Sequence, residues 1–532
     1  MKPMSWKRIS RETVARYLRD PGIRLSVVML VLVFLINTAY VWVNGENLLD
    51  SDASSELVLA SLLDKEHHIL SRAWYYSTEL RVLNTQLVYK LFLLLFPHNW
   101  HLARTMSIIV FQMILIGSTL YLAHAIGHFK TGILIACTVI CPISPWYGSH
   151  LIYLSYYVPH IVITMLALGM LIRYVSNGAL RDKGKTWLLL WVMIALAFVS
   201  SLGGIRQLMV CYAPLWIATG CRFLLNRENR QNRTCFLTAT VLLGAGAGGF
   251  LVNEMILSKW YRFTDPSGTI LSGFEWENVL LTLTNLARLY GGWEREAAFF
   301  GIDGMAYLLG LLLGGIVFAT MIIIAKRLQR LTEKEAMFTA FTLALFFVTL
   351  ITLSQISPSH DSQPYWIPFL PFSFFFPFLF FESKKDKLLL YSVAVVFFFV
   401  SIGTMRSPLC DGIPHDASLS RVASWLTDAG YTKGCASFWH SNILTELTSG
   451  QVEMWTIRQT DEGFRSLEIY PWLQVVGHNE LPKDPFFLLT ETQYEMPLFE
   501  TEKIKDHIVY GDEDYYVYGF DDAEQYLAIM RQ

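Results

Sequence analysis

Charge is scarce in this chain of 532 residues: Asp, Glu, Lys and Arg make up 16%, against about 25% in an ordinary soluble domain. An ordinary polar surface is therefore excluded for most of its length. Cysteine is scarce too. There are seven, with no C-x-x-C and no Cys/His ligand spacing, which argues against a structural zinc site. Cys137, Cys141, Cys211, Cys221 and Cys235 lie in or beside apolar runs and read as packing residues. Cys410 and Cys435 fall in the last quarter, where an oxidising compartment permits a disulfide and a reducing one leaves two thiols. There is no Walker loop, no G-x-S-x-G elbow and no H-E-x-x-H, so those nucleotide, hydrolase and metalloprotease chemistries lack their motifs. "GAGAGG" (244–249) lies inside an apolar run and reads as close helix packing. No basic stripe with interleaved aromatics is present, so no nucleic-acid partner is expected.

What is abundant is apolar sequence: 53% of residues, with a mean hydropathy of +0.38. Runs of roughly 20 apolar residues cross a bilayer core, and they recur here. The expected fold is mostly α: a polytopic membrane helical bundle of about 11 spans, with interfacial helices in its outside loops and a C-terminal extracytoplasmic α/β domain. Spans are expected at 23–43, 102–124, 131–147, 151–174, 186–203, 207–224, 235–257, 305–325, 336–356, 365–381 and 387–404. The first run is too long for a cleaved signal peptide. Segment 84–96 is too short to span and reads as an interfacial or re-entrant helix, with Trp74, Tyr75, Tyr76 and Trp100 suited to the headgroup region.

Lys and Arg concentrate on the cytoplasmic side. The N-terminal segment 1–22, "RDKGK" (181–185), "NRENRQNR" (226–233), "AKRLQR" (325–330) and "ESKKDK" (382–387) all fall inside together if there are eleven crossings. Loops 44–101 and 258–304 and the C-terminal domain then fall outside. Residues 406–532 hold 9 Lys+Arg and 21 Asp+Glu, so an acidic soluble domain follows a basic membrane part, 23–405. Within 406–532, 417–431 reads as an amphipathic helix, and "CASFWHSNILTEL", "VEMWTIRQ", "PFFLLTET" and "YYVYGF" contain strand candidates. Trp439, His440 and Trp455 read either as glycan contacts or as aromatics of a small core.

The polar groups cluster at the outer boundary. Asp52 and Glu56, four apart, share one face of a short amphipathic helix at 51–63. Asp50 or Ser51 is placed to cap it. Glu79 and Arg81 sit among aromatics in "RAWYYSTELRVLNTQ", a mixture suited to a sugar, or else to solvated charges in an aromatic belt. Arg206 follows two glycines at a span boundary. Boundary charges are costly and tend to be functional, and a guanidinium matches phosphate; the plain alternative is snorkelling. "SQISPSHDSQPYW" holds His360, Asp361 and Tyr365 in an outside turn, as substrate contacts or as solvated residues. The 258–304 loop carries an amphipathic helix near 276–290, a lid or a surface helix.

The Asp-x-Asp of "DSD" (50–52), the amphipathic helix behind it, "NWHLARTMSIIVFQMILIGSTLYLAHAIG" (99–127), "GGIRQL" (203–208) and "SHDSQPYW" (359–366) follow one another in an order that resembles the GT-C membrane glycosyltransferases. The layout is most similar to the aminoarabinose transferases and protein O-mannosyltransferases. The resemblance implies a polyprenyl-phosphate-linked sugar as donor, a glycan, lipid or protein as acceptor, and membrane lipids as surroundings. It implies transfer with inversion at the outer face of a cell membrane, in a bacterium. It points to Asp52 as general base, because the spacing to Ala60 matches the family's Asp…Ala helix pattern, and to Asp50 as cap or second contact. Glu56, Glu79, Arg81, Arg206, His360 and Tyr365 are the expected substrate contacts, with Arg206 on the donor phosphate. Loop 145–160, acidic in many members, holds only His150 and His160 as groups ionising near neutrality. No cofactor is expected and metal-independent transfer is favoured, with a divalent cation left open. The rival expectation is a transporter or polymerase of lipid-linked glycan; a third is a sensor or structural protein displaying its outer domain.

Overall fold

The computed structural model describes residues 20–176, 183–264, 270–271, 273–291, 301–357, 363–406, 418–459, 467–482, 485–490, 504–510 and 513–519. Helix α1 (Pro21–Asn44) starts where Asp20 accepts the Gly22 N–H at 3.0 Å. Then come α2 (Ser51–Glu66), α3 (Gln86–Leu95), α4 (Trp100–Ile126), α5 (Phe129–Val139), α6 (Val158–Ser176), α7 (Lys183–Ser201), α8 (Ala213–Leu225) and α9 (Arg230–Met255). After α10 (Trp276–Leu289) follow α11 (Ile302–Lys326), α12 (Glu333–Gln355), α13 (Phe375–Ser383) and α14 (Lys387–Arg406). Among the described residues, eight helices are long and apolar enough to cross a membrane.

Three expected spans appear as shorter apolar helices: Phe129–Val139, Thr186–Ser201 and Leu370–Ser383. Expected span 131–147 stops at Val139 because Pro142 and Pro145 follow, and proline cannot continue a helix without losing a backbone bond. Span 151–174 begins only at Val158. Its first residues form a π-helical turn, Gly148–Tyr153, and Ser155 is left-handed at φ 61. A second π turn, Leu208–Tyr212, leads into α8. The glycines of "GAGAGG" let α9 lie on α7: a Cβ at Gly249 would fall onto the Phe198 carbonyl.

Helix α2 is fixed at both ends. Asp50 Oδ1 accepts the Ala53 N–H at 2.7 Å. At the other end His67 adopts φ 56, and Lys90 Nζ, from α3, donates to the Leu63 and His68 carbonyls at 2.8 Å each. Trp74, Tyr76 and Trp100, expected at the headgroups, are buried inside the protein instead. Strand β1 (Tyr75–Tyr76) runs parallel to β2 (Arg262–Phe263), tying the two long loops together. Strand β3 (Ile270–Leu271) pairs antiparallel with β4 (Ile356–Ser357).

The last part is an α/β unit with α15 (Ser418–Asp428), β5 (Lys433–Ser437), α16 (Phe438–Leu447), β6 (Glu453–Gln459), β7 (Leu467–Ile469), β8 (Phe486–Thr490), β9 (Ile504–Tyr510) and β10 (Glu513–Gly519). Its sheet order is β7-β6-β5-β8-β10-β9. Only the first residues of "CASFWHSNILTEL" are strand; from Phe438 it is helix, with Ile443 and Leu444 in the domain core. Cys435 is a buried thiol. Cys410, with which an oxidising compartment would permit a disulfide, lies outside the described residues.

Helix α16 lies against α2. Ser51 Oγ donates to the Phe438 carbonyl, and Tyr75 N–H and Val476 N–H donate to the Gln474 and Ala73 carbonyls at 2.9 and 2.8 Å. In the interior, Arg104 of α4 meets Glu446 of α16 through two nitrogens, one at 2.6 Å, and also donates to the Ala53 carbonyl at 3.1 Å. The α/β unit is therefore seated on the helix that carries Asp52.

Candidate active site

Capping fixes Asp50 at the start of α2, and the helical repeat then puts Asp52 and Glu56 one turn apart on a common face. Glu56 is buried, with Arg81 Nη1 at 3.2 Å from its carboxylate. Arg81 also donates to the Tyr156 hydroxyl at 2.8 Å, with its guanidinium 5.0 Å from that ring's centre. Glu79 receives Arg206 Nε at 2.5 Å, with Arg81 and His160 each at 3.8 Å. Arg206 lies over Tyr157 at 5.4 Å and Tyr365 at 5.9 Å. His160 Nδ1 meets Gln207 Oε1 at 3.2 Å, and Gln207 Nε2 donates to Thr164 at 3.2 Å.

The result is an alternating chain of charge, Glu56–Arg81–Glu79–Arg206. Buried charges persist only when paired in this way, because the desolvation cost of each is several kcal/mol. The glycines before Arg206 serve that pairing. The Leu80 N–H donates to the Gly203 carbonyl at 2.9 Å, and a Cβ at Gly203 would sit 3.1 Å from the Leu80 carbonyl. Gly204 is at φ 135, open to glycine and costly for other residues. The backbone that approaches closely here is the 78–80 segment, and its approach brings Arg206 to Glu79.

Burial raises the Asp52 carboxyl to about 7, with the charge of Asp50 adding and those of Arg81 and Arg206 opposing. Burial also raises Glu56. Glu79 is lowered: burial pushes it up, but Arg206, His160 and Arg81 outweigh that. So one carboxyl is poised near neutrality beside one held ionised, the separation of roles that acid–base chemistry uses. Glu56 Oε2, Arg206 Nη1 and His160 Nε2 are buried without a hydrogen-bond partner, while Glu56 Oε1 and Arg81 Nη1 meet as an ion pair without forming a hydrogen bond. Carboxylate oxygens can accept from hydroxyls and guanidinium nitrogens can donate to an anion, so these groups have capacity for a ligand carrying both. Among the described residues no three His, Cys, Asp or Glu side chains converge as a metal cage.

Of the expected site residues, Asp50, Asp52, Glu56, Glu79, Arg81, Arg206 and Tyr365 meet in this one region; His360 lies outside the described residues. Glu79 and Arg81 are buried partners and not solvated charges. Sequence reasoning gave no role to Tyr156, Tyr157, Gln207 or the Arg104–Glu446 pair. The two tyrosines stand in "LSYYVPH", a stretch without an acidic residue, where tyrosines beside apolar runs read as ordinary interface aromatics. Glu446 is one of 21 acids in its domain, and nothing local marks it.

The architecture shares its fold with ArnT and with an archaeal oligosaccharyltransferase. Among solved structures, the chain is similar to ArnT from Cupriavidus metallidurans bound to undecaprenyl phosphate, with a TM-score of 0.55, 14% identity, and coverage of 94% of this chain and 98% of that one. The apo form of the same ArnT aligns with a TM-score of 0.53 at 12% identity, over 93% and 98% of the two chains. The oligosaccharyltransferase of Archaeoglobus fulgidus, tethered to an acceptor peptide, aligns with a TM-score of 0.51 at 11% identity over 82% of this chain; the match spans 64% of that longer protein. No protein-family model and no curated protein sequence matches the chain.

Proposed function

We propose that the protein is a membrane glycosyltransferase that moves a sugar from a polyprenyl-phosphate donor to a glycan, lipid or protein acceptor at the outer face of the membrane. The observation that carries this is the buried Glu56–Arg81–Glu79–Arg206 chain, which starts one helical turn from Asp52, whose carboxyl is raised to about 7 within the field of Arg81 and Arg206. The fold shared with ArnT and the archaeal oligosaccharyltransferase supports it. Residues 23–405 form the transferase unit and 406–532 the outer domain, with loops 44–101 and 258–304 on the same outer side.

In this reading the donor's polyprenyl tail lies among the apolar helices and its phosphate meets Arg206, while Glu79 holds that guanidinium in place. Asp52 takes the proton of the acceptor hydroxyl. The hydroxyl oxygen attacks the anomeric carbon from the face opposite the phosphate, so the configuration inverts. The bond from that carbon to the phosphate oxygen breaks, and its electron pair leaves with the polyprenyl phosphate. Arg206 offsets the charge growing on the leaving group, as a fixed dipole or cation does best where water is excluded. Arg81, Glu56 and Tyr365 contact the sugar or hold those that do. His360 is proposed as a further contact from the turn before Tyr365.

The test is purified protein incubated with a panel of polyprenyl-phosphate sugars, scored for release of polyprenyl phosphate and for transfer. Asp52→Asn is expected to lower transfer by about 10²–10⁴-fold with thermal stability retained. Full activity in that variant removes Asp52 from the mechanism, and no turnover with any donor by the unaltered protein removes the transferase reading.

A further inference from the structure

The junction of the soluble domain with α2 ends in a group of aromatic side chains that the charge network does not use. Ser51, the residue before Asp52, is hydrogen-bonded to the Phe438 carbonyl at the start of α16. The Phe438 ring packs in a cluster with Leu59 and Leu63 of α2. It stacks on Trp472 with ring centres 5.3 Å apart and planes at 19°, and meets Trp439 edge-on at 5.3 Å. Tyr470 completes the group, 5.5 Å from Trp472. The Arg458 guanidinium lies 5.0 Å from the Tyr470 ring centre, and Arg458 Nε donates to Glu468 at 2.7 Å. Burial raises the Tyr470 phenol to about 12, with Arg458 opposing and the charge of Asp52 adding; the group lies within the field of the proposed base.

Two features do not fit a closed core. Trp439 is 48% exposed, although its neighbour Phe438 is buried. The indole N–H of Trp472 is buried without an acceptor, where buried tryptophans usually find one and an unmet donor costs about 1–3 kcal/mol. Beside them the Arg458–Glu468 pair is half in solvent, offering donors and an acceptor together. An open aromatic face, an unmet N–H and a guanidinium–carboxylate pair match the chemistry of a pyranose. Its C–H face is apolar, and its hydroxyls donate and accept in fixed directions. A bare lipid offers nothing to the polar groups, and an extended peptide would leave the aromatic face without a flat partner.

We propose that this patch is a carbohydrate subsite, which takes a pyranose ring of the acceptor against Trp439 with hydroxyls on Trp472 Nε1 and the Arg458–Glu468 pair. This rests on the transferase reading and narrows the acceptor to a glycan, presented by the outer domain toward Asp52. Trp455 has no such role: it is buried, stacks on His478 at 4.0 Å and donates to the Glu480 carbonyl at 3.0 Å.

The experiment uses the full-length protein with tetrasaccharides of glucose, N-acetylglucosamine, galactose and mannose, a neutral tetrapeptide, and undecaprenyl phosphate, each titrated by calorimetry. Saturable binding of at least one tetrasaccharide is expected. It should weaken about tenfold or more, some 1.4 kcal/mol, in Trp439→Ala and return in Trp439→Tyr, with undecaprenyl phosphate binding equal in all three proteins. Equal tetrasaccharide binding by Trp439→Ala, binding of none of them, or binding of the tetrapeptide instead would overturn the subsite. So would brominated-lipid quenching of fluorescence that disappears in Trp439→Ala, with no response to sugar, which makes the patch a bilayer contact. Sugar binding that depends on Trp439, in a protein that neither binds undecaprenyl phosphate nor uses any donor, sinks the transferase reading and leaves the carbohydrate subsite standing.

Discussion

At the scale of single residues, the decisive asymmetry lies between the two aspartates of "DSD". Asp50 spends one oxygen on the Ala53 N–H, while Asp52 sits half-buried one turn before Glu56 with its carboxyl raised to about 7. A base must be ionised to accept a proton, so activity is expected to rise with pH through about 7. The Asp50 charge contributes to the upward shift. Asp50→Asn keeps a good helix cap and removes that charge, so it should move the rising limb to lower pH while the helix stays intact. A pH–rate profile of both proteins measures this; an unmoved or upward-moved limb in Asp50→Asn would disconnect Asp52 from the observed ionisation. The candidates were legible at this scale because carboxylates and a lone arginine are conspicuous at the edge of apolar runs. Their pairing was not: that Glu79 holds Arg206 and Glu56 faces Arg81 depends on Gly203 and Gly204 letting two loops touch.

At the scale of elements, Arg104 and Glu446 fasten α4 to α16 across the α2 helix they enclose. Both are buried, and breaking a buried pair from one side costs about 3–5 kcal/mol, since the survivor is left charged and unpaired. The two sides are not equivalent. Burial raises the Glu446 carboxyl, so with its partner gone Glu446 can take a proton and become neutral; a guanidinium cannot shed its charge. Glu446→Leu is therefore expected to lower thermal stability more than Arg104→Met, and the double variant should recover much of the loss. Thermal unfolding in detergent tests the order, and a larger loss in Arg104→Met would reverse the argument. Elements were well marked where apolar period and length agree, as in α1, α4 and α14. They were misjudged where proline or a π turn interrupts an apolar run, as at Pro142 and at 148–153. Hydropathy averages over such breaks, and backbone bonding does not. Helix α16 was hidden for another reason: "FWHSNILTEL" is as apolar as a strand, and only its packing between the sheet and α2 selects the helix.

At the scale of the whole molecule, the contacts sort the chain into two ends. Helix α4, with 27 residues at about 1.5 Å each, spans roughly 40 Å. At its start, the Trp100 N–H donates to Ser449 of the soluble domain at 3.2 Å. Just beyond its far end, His128 lies between Glu382 at 2.7 Å and Glu335 at 2.9 Å. There Lys130 meets Asp20 at 3.6 Å, and Arg222 meets Glu333. The basic loops 226–233, 325–330 and 382–387 border these residues, so they share the end opposite the acidic domain. Among the described residues there are eight long apolar helices and four shorter ones; we propose that all but the shortest, Gln86–Leu95, cross the membrane, eleven crossings that send residue 20 and the C-terminal α/β unit to opposite faces. With basic loops retained inside, this count predicts that the α/β unit and Asp52 face outward. Cysteines introduced one at a time in a Cys221→Ala, Cys410→Ala background, whose remaining cysteines are buried, test this: His98→Cys and Glu480→Cys should react with a membrane-impermeant maleimide on intact cells, and Arg227→Cys and Lys384→Cys only after permeabilisation. If His98→Cys and Lys384→Cys react alike on intact cells, α4 and the short helices do not divide the chain this way, and a donor presented from the outer leaflet could not reach Asp52.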